Sequence, residues 1–164
     1  RALCQSQGAV SGLVSLGTSS IALWGGAARG RPWRGGGGGP GPAPTLAETV
    51  AGRGRALGVI ELDEGALSTS GGDERGGHVI DPRSGAVATG CLQAVVWARR
   101  AVWAEVWSTA LLVLGWPGLV EHHGAAGFEA LLVTGETVVA SEGLSGFQPF
   151  GWERLGIEVA NDLG

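Results

Sequence analysis

Apolar positions along the chain fall into short blocks, and their spacing predicts the elements. Residues 1–10 read as the end of a helix that stops near Gly8. Residues 11–16 (SGLVSL) and 21–24 (IALW) are two short strands around the turn Gly17-Thr18-Ser19-Ser20. A strand is expected over 57–62 (LGVIEL), and Gly65 turns the chain into another over 66–70. Residues 92–98 (LQAVVWA), rich in Val and Trp, form a further strand that Arg99 and Arg100 end. Over 101–114 the period changes to that of a helix. Val102, Val106, Ala110 and Val113, spaced by four, four and three, share one face. Gly115 and Pro117 stop this helix, and 118–123 add one or two more turns. Residues 128–133 and 137–140 read as a hairpin around Gly135.

Between the blocks, residues 25–56 carry the run Gly35 to Gly39 followed by Pro40, Pro42 and Pro44. Its composition is that of a flexible insertion, assigned to 30–56. Nothing in it supplies a Lys or Ser/Thr at the spacing a phosphate loop requires. The organisation expected is one partial domain over 1–147 and a weakly periodic tail, 148–164, expected to be poorly ordered. Strands and helices alternate irregularly, which argues for an α+β fold with a mixed or antiparallel sheet and packed helices.

Composition narrows the function classes. The chain has 164 residues, 44% of them hydrophobic, enough for one core. No apolar run reaches the roughly 18–20 residues of a spanning helix. A net charge of −4 offers no footprint for nucleic acid. All 11 basic residues are Arg, which removes Walker-type and Schiff-base lysines together. With no Met in the chain, residue 1 is not expected to be a natural start. Cys4 and Cys91 are expected as two buried or half-buried thiols, not a disulfide.

Chemistry concentrates in three places. His78 ends a Gly-rich turn, where an imidazole suits a general base or a donor to phosphate, or is a loop histidine bonded to a carbonyl. Asp81, three residues on, either orients that imidazole or caps the turn Asp81-Pro82-Arg83-Ser84-Gly85. Glu105 and Thr109 stand at i and i+4 and face one side of their helix, two oxygen ligands for Mg²⁺ or a solvated Glu beside a back-bonded Thr. Trp103 and Trp107 beside Glu105 are expected in the core. His122 and His123, with no third ligand in sight, read as surface residues at a helix end.

The run Ala66-Leu67-Ser68-Thr69-Ser70-Gly71, then Glu74-Arg75, then His78-Val79-Ile80-Asp81-Pro82-Arg83-Ser84-Gly85 resembles the signature of the ApbE-type FAD:protein FMN transferases. The helix Ala104-Glu105-Val106-Trp107-Ser108-Thr109-Ala110-Leu111-Leu112-Val113-Leu114-Gly115 is similar to that family's metal-binding helix. The resemblance covers roughly residues 10–145 and implies a partial ApbE-like domain related to the T-fold. It implies an enzyme that uses FAD as substrate and Mg²⁺ to move FMN onto a Thr or Ser hydroxyl of an acceptor protein. It gives His78 a flavin-site role and that of the base, and Asp81 a place in the same site. Thr69, Ser70 and Gly71 form the ligand-facing strand end, and Glu105 and Thr109 hold the metal. Family members are often extracytoplasmic lipoproteins. Glu105 stands where the family usually has Asp, Gly72 and Asp73 where an aromatic often follows, and the family's N-terminal half has no counterpart. The chain therefore resembles a C-terminal portion, either of the transferase or of a flavin-binding module without transfer activity.

Overall fold

The computed structural model describes residues 1–16, 19–26, 33–35, 58–62, 64–71, 78–134, 137–144, 148–149 and 158–160. The five-glycine run beyond Gly35, the proline-rich stretch, residues 72–77 and Gly135 lie outside them, as does the rest of the tail. A short helix α1 (Ala2–Ser6) precedes strands β1 (Gly12–Leu16), β2 (Ser20–Trp24), β3 (Trp33–Gly35), β4 (Gly58–Leu62), β5 (Gly65–Gly71) and β6 (Gln93–Ala98). Helix α2 (Ala101–Ala126) follows, then β7 (Phe128–Val133), β8 (Thr137–Ala140), β9 (Gln148–Pro149) and β10 (Glu158–Ala160). The α+β architecture read from the sequence is the one observed.

Seven strands form one sheet in the order β1-β2-β5-β6-β7-β8-β10. Its pairs are antiparallel except β8 with β10, which run parallel, so the sheet is mixed. A smaller sheet, β3-β4-β9, includes Trp33–Gly35 from within the expected insertion and Gln148–Pro149 from the tail.

Strand alternation sorts the core into two layers. Even positions of β5 and β6 (Ala66, Ala94, Val96, Ala98) join Phe128, Ala130 and Leu132 of β7 and pack under α2 with Ala104, Leu111 and Leu119. Odd positions, Leu67 and Val95, face the other way, onto Ile21, Leu23 and Leu131 and onto Ile60 and Leu62 of the smaller sheet. The burial of α2 corrects the sequence reading. Ala104, Ser108, Leu111, Leu112, Gly115, Gly118 and Leu119 are buried, whereas Val102, Trp103 and Val106 are about half exposed. This helix is apolar all round, so periodicity does not select a face; the sheet selects the one with small residues near β5. Trp103 is thus outside the core, while Trp107 stacks on Phe128 with ring centroids 4.6 Å apart.

The expected stop at Gly115 is a break within α2, not its end. Gly115 has φ 62° and ψ −151°, a conformation essentially restricted to glycine. Pro117 falls in the first turn after the break, where its missing N–H costs little. The carbonyl of Leu112, which an unbroken helix would pair with Trp116, instead accepts from the Gly90 N–H at 2.9 Å. Cys91 Sγ donates to the Leu111 carbonyl at 3.5 Å. Burial pushes the Cys91 thiol up to about 12, so it stays protonated at neutral pH. Cys4 is exposed, not buried, and neither cysteine is in a disulfide. The second helical segment runs to Ala126, longer than the sequence suggests, and ends at Gly127 in the left-handed conformation.

The segment that docks on this break is the loop beginning at His78. Its ends are tied by Asp81 N–H to Ala86 C=O at 2.8 Å and Ala88 N–H to Val79 C=O at 2.9 Å. At its tip, Asp81 Oδ1 accepts from the Arg83 N–H at 2.8 Å, and the carboxylate takes the Arg83 guanidinium through Nε at 2.9 Å and Nη2 at 2.8 Å. Of the two roles open to Asp81, the structure shows turn capping.

Gly115→Ala is expected to lower the unfolding free energy by about 3 kcal/mol, because the added Cβ meets both backbone strain and a rigid neighbour. That Cβ would stand 2.5 Å from the Gly90 carbonyl oxygen. Gly124→Ala, on the same helix with open space around it, should instead raise it by about 0.5–1 kcal/mol. Denaturant midpoints at constant slope measure both. The Arg83 hydrogen bonds hold the Asp81 carboxyl below its ordinary 3.8. A depressed carboxylate stabilises the turn above its unfolded-state pKa and loses that effect as pH falls through the folded value. Amide protection over 83–86 should therefore persist at mildly acidic pH and fall only below the ordinary carboxylate range. Asp81→Asn should remove this pH dependence; hydrogen exchange against pH checks it.

Candidate functional site

The site grows from the pairing of β2, β5 and the first half of α2. Ser20 and Ser68 are cross-strand partners in the β2–β5 register. Strand alternation then puts Ser70 on the same face as Ser68, under α2. From the helix, Glu105, Ser108 and Thr109 point back at these serines. Ser68 Oγ donates to Glu105 Oε2 at 2.6 Å, and Ser20 Oγ donates to the same oxygen. Ser108 Oγ, fully buried, donates to the Glu105 carbonyl at 3.0 Å and lies 2.9 Å from Ser70 Oγ. Ser70 Oγ is in turn 3.1 Å from Thr109 Oγ1.

The residues singled out by sequence therefore divide. Glu105, Thr109 and Ser70 come together in one hydrogen-bonded cluster. Gly71, the next residue of β5, pairs with Gln93 at the strand's end. Thr69 belongs to the opposite face: its register partner is Val95, and its N–H donates to the Ser19 carbonyl at 2.8 Å. The Thr69 hydroxyl is buried with no hydrogen-bond partner. Thr69 and Ser70 thus cannot line one surface together, since neighbouring strand residues point to opposite sides. His78 is exposed at the root of the loop that closes on Gly115, and the Asp81 carboxylate is committed to Arg83.

Ser20, Ser68 and Ser108 were missed as site residues. Ser68 and Ser70 at i and i+2 on one strand were a usable signal for a polar patch on a single face. Ser20 and Ser108 carried none, since pairing register and helix rotation decide that they meet Glu105.

Glu105 and Thr109 are both exposed, one helical turn apart. Their oxygens make a donor set suited to a hard cation that keeps water and substrate oxygens in its remaining positions. Among the described residues no three or more His, Cys, Asp or Glu side chains gather as an alternative centre. His122 tilts over Trp107 at 5.3 Å, and His123 Nε2 lies 3.7 Å from Glu129 Oε2. No helix among the described residues is long and apolar enough to cross a membrane.

A search of curated protein sequences finds no match. Solved structures do match. The ApbE protein of Thermotoga maritima aligns with a TM-score of 0.59 and 26% identity, covering 88% of this chain and 44% of its own. The flavin transferase ApbE of Vibrio cholerae aligns with a TM-score of 0.61 and 24% identity, over 91% of this chain and 44% of its own. A mutant of that enzyme gives a TM-score of 0.61 at 23% identity, with 91% and 41% coverage. The chain thus spans less than half the length of each. The model of the ApbE family matches residues 1–132, four-fifths of the sequence, and includes β5, the His78 loop and α2. The chain belongs to the ApbE family.

Proposed function

We propose that this chain is the metal-facing part of an FAD:protein FMN transferase. The observation that carries this reading is the convergence of Glu105 and Thr109 of α2 on Ser68 and Ser70 of β5, in a chain of the ApbE family. The fold shared with flavin transferase ApbE supports it. The reaction forms an ester bond between an acceptor Thr or Ser oxygen and the FMN-side phosphorus of FAD. The pyrophosphate P–O bond breaks, and AMP leaves with the bridging oxygen.

Glu105 and Thr109 would hold Mg²⁺, which supplies neutralisation of the phosphate charge as that bond breaks. Glu is one methylene longer than the Asp usual in the family. Ser20 and Ser68 hold its terminal oxygen against the sheet and so take up the extra length. His78 takes the proton of the acceptor hydroxyl on an imidazole nitrogen, a role supported by its exposure and by the family signature around it. Ser70 is set beside Thr109, where the phosphates would approach.

Incubation with FAD, Mg²⁺ and a peptide bearing the acceptor Thr should yield an FMN adduct by mass spectrometry. FAD binding without any adduct would reduce the chain to a flavin-binding module. His78→Ala should slow transfer by about 10²–10⁴-fold while the protein stays folded, and undiminished transfer would remove His78 as the base. Glu105→Ala should abolish the dependence of transfer on Mg²⁺ concentration; an unchanged Mg²⁺ titration would place the metal elsewhere.

A further inference from the structure

One assignment of the hydroxyl protons around Glu105 satisfies every contact at once. Each Ser or Thr hydroxyl has a single proton to donate. Ser20 and Ser68 each place theirs on Glu105 Oε2, because an ionised carboxylate only accepts. Ser108 places its proton on the Glu105 carbonyl. Having none left, Ser108 can only accept from Ser70 across their 2.9 Å contact. Ser70 then has no proton for Thr109, so Thr109 must donate to Ser70 across 3.1 Å. The 3.2 Å approach of Ser68 to Ser108 and the 3.5 Å approach of Ser20 to Ser68 need no proton of their own.

This order has a consequence for the exposed end of the chain. Thr109 Oγ1, its proton turned inward to Ser70, presents only lone pairs outward. Among the described residues both side-chain hydroxyl bonds to the Glu105 carboxylate fall on Oε2, so neither of these serines occupies Oε1. A carboxylate and, one helical turn on, a hydroxyl oxygen that only accepts suit a divalent cation and repel a bare phosphate oxygen. We propose that Ser70 and Ser108 are positioning residues for a hard divalent cation. Neither touches the ion. Together they hold Thr109 Oγ1 with its lone pairs toward it. This assignment rests on the reading of Glu105 and Thr109 as the metal ligands.

Loss of an outer-shell partner typically weakens metal binding by about ten- to a hundredfold. Mn²⁺, followed by electron paramagnetic resonance and calorimetry on the full chain, reports affinity without requiring turnover. Wild type should bind Mn²⁺. Ser108→Ala frees the Ser70 proton to turn toward Thr109, and Ser70→Ala takes away the acceptor of Thr109. Both variants should bind Mn²⁺ about ten- to a hundredfold more weakly, and Ser70→Thr, which keeps the hydroxyl, should recover most of the loss. Ser108 is buried, so if Ser108→Ala fails to fold, the half-buried Ser70 carries the test. Folded Ser70→Ala with wild-type Mn²⁺ affinity overturns the proposal while leaving the metal site standing. Wild-type affinity in both Glu105→Gln and Thr109→Val, or no Mn²⁺ binding by wild type, overturns the metal reading itself and this inference with it.

Discussion

The buried hydroxyls of Ser68 and Ser108, between α2 and β5, have to find partners inside the protein, because an unpaired buried polar group costs about 1–3 kcal/mol. That requirement organises the first half of the helix. Ala104 and Ser108 are small enough to bring α2 close to the sheet, and the closeness lets Ser68 and Ser70 reach across. Once there, the serines are bound to the helix at Ser108, Glu105 and Thr109. Packing and chemistry thus use the same contacts: the network that fills the helix–sheet gap also fixes the Glu105 carboxylate.

The far end of the site depends on backbone packing backbone. Gly90 and Gly115 approach so closely that a Cβ on either would collide with the other. Breaking the helix there releases the Leu112 carbonyl, and the loop that started at His78 fills the vacancy with the Gly90 N–H. One glycine pair thereby ties the His78 loop to the helix carrying Glu105 and Thr109. The Asp81–Arg83 pair stiffens the tip of that loop from within, independently of the helix. The Thr69 hydroxyl on the opposite sheet face shows the reverse situation, a buried polar atom that no such network reaches.

Much of this was legible in the chain. Short apolar blocks set off by turn residues or charges marked β5, β6 and β7 to within a residue or two, because strand periodicity and turn chemistry are local. The spacing of Glu105 and Thr109 placed them on one helix side for the same reason. The buried face of α2 was not legible. A helix apolar on all sides has no preferred face until something packs against it, and Val102 and Val106 proved to be outside. Nor did adjacency in sequence group Thr69 correctly with Ser70, since the strand turns them apart.

By itself, the sequence determined the local geometry: which blocks extend, where a helix must break at a Gly–X–Pro, and which polar residues share a helix turn. Tertiary structure alone decided that Ser20, forty-eight residues before Ser68, stands opposite it in the sheet. It decided as well that both converge on Glu105, and that Gly90 lends its N–H to the broken helix. The physical reason is range. Propensity and periodicity act over a few residues along the chain, whereas strand register, helix rotation and the pairing of buried hydroxyls are set only when distant segments compete for the same enclosed space.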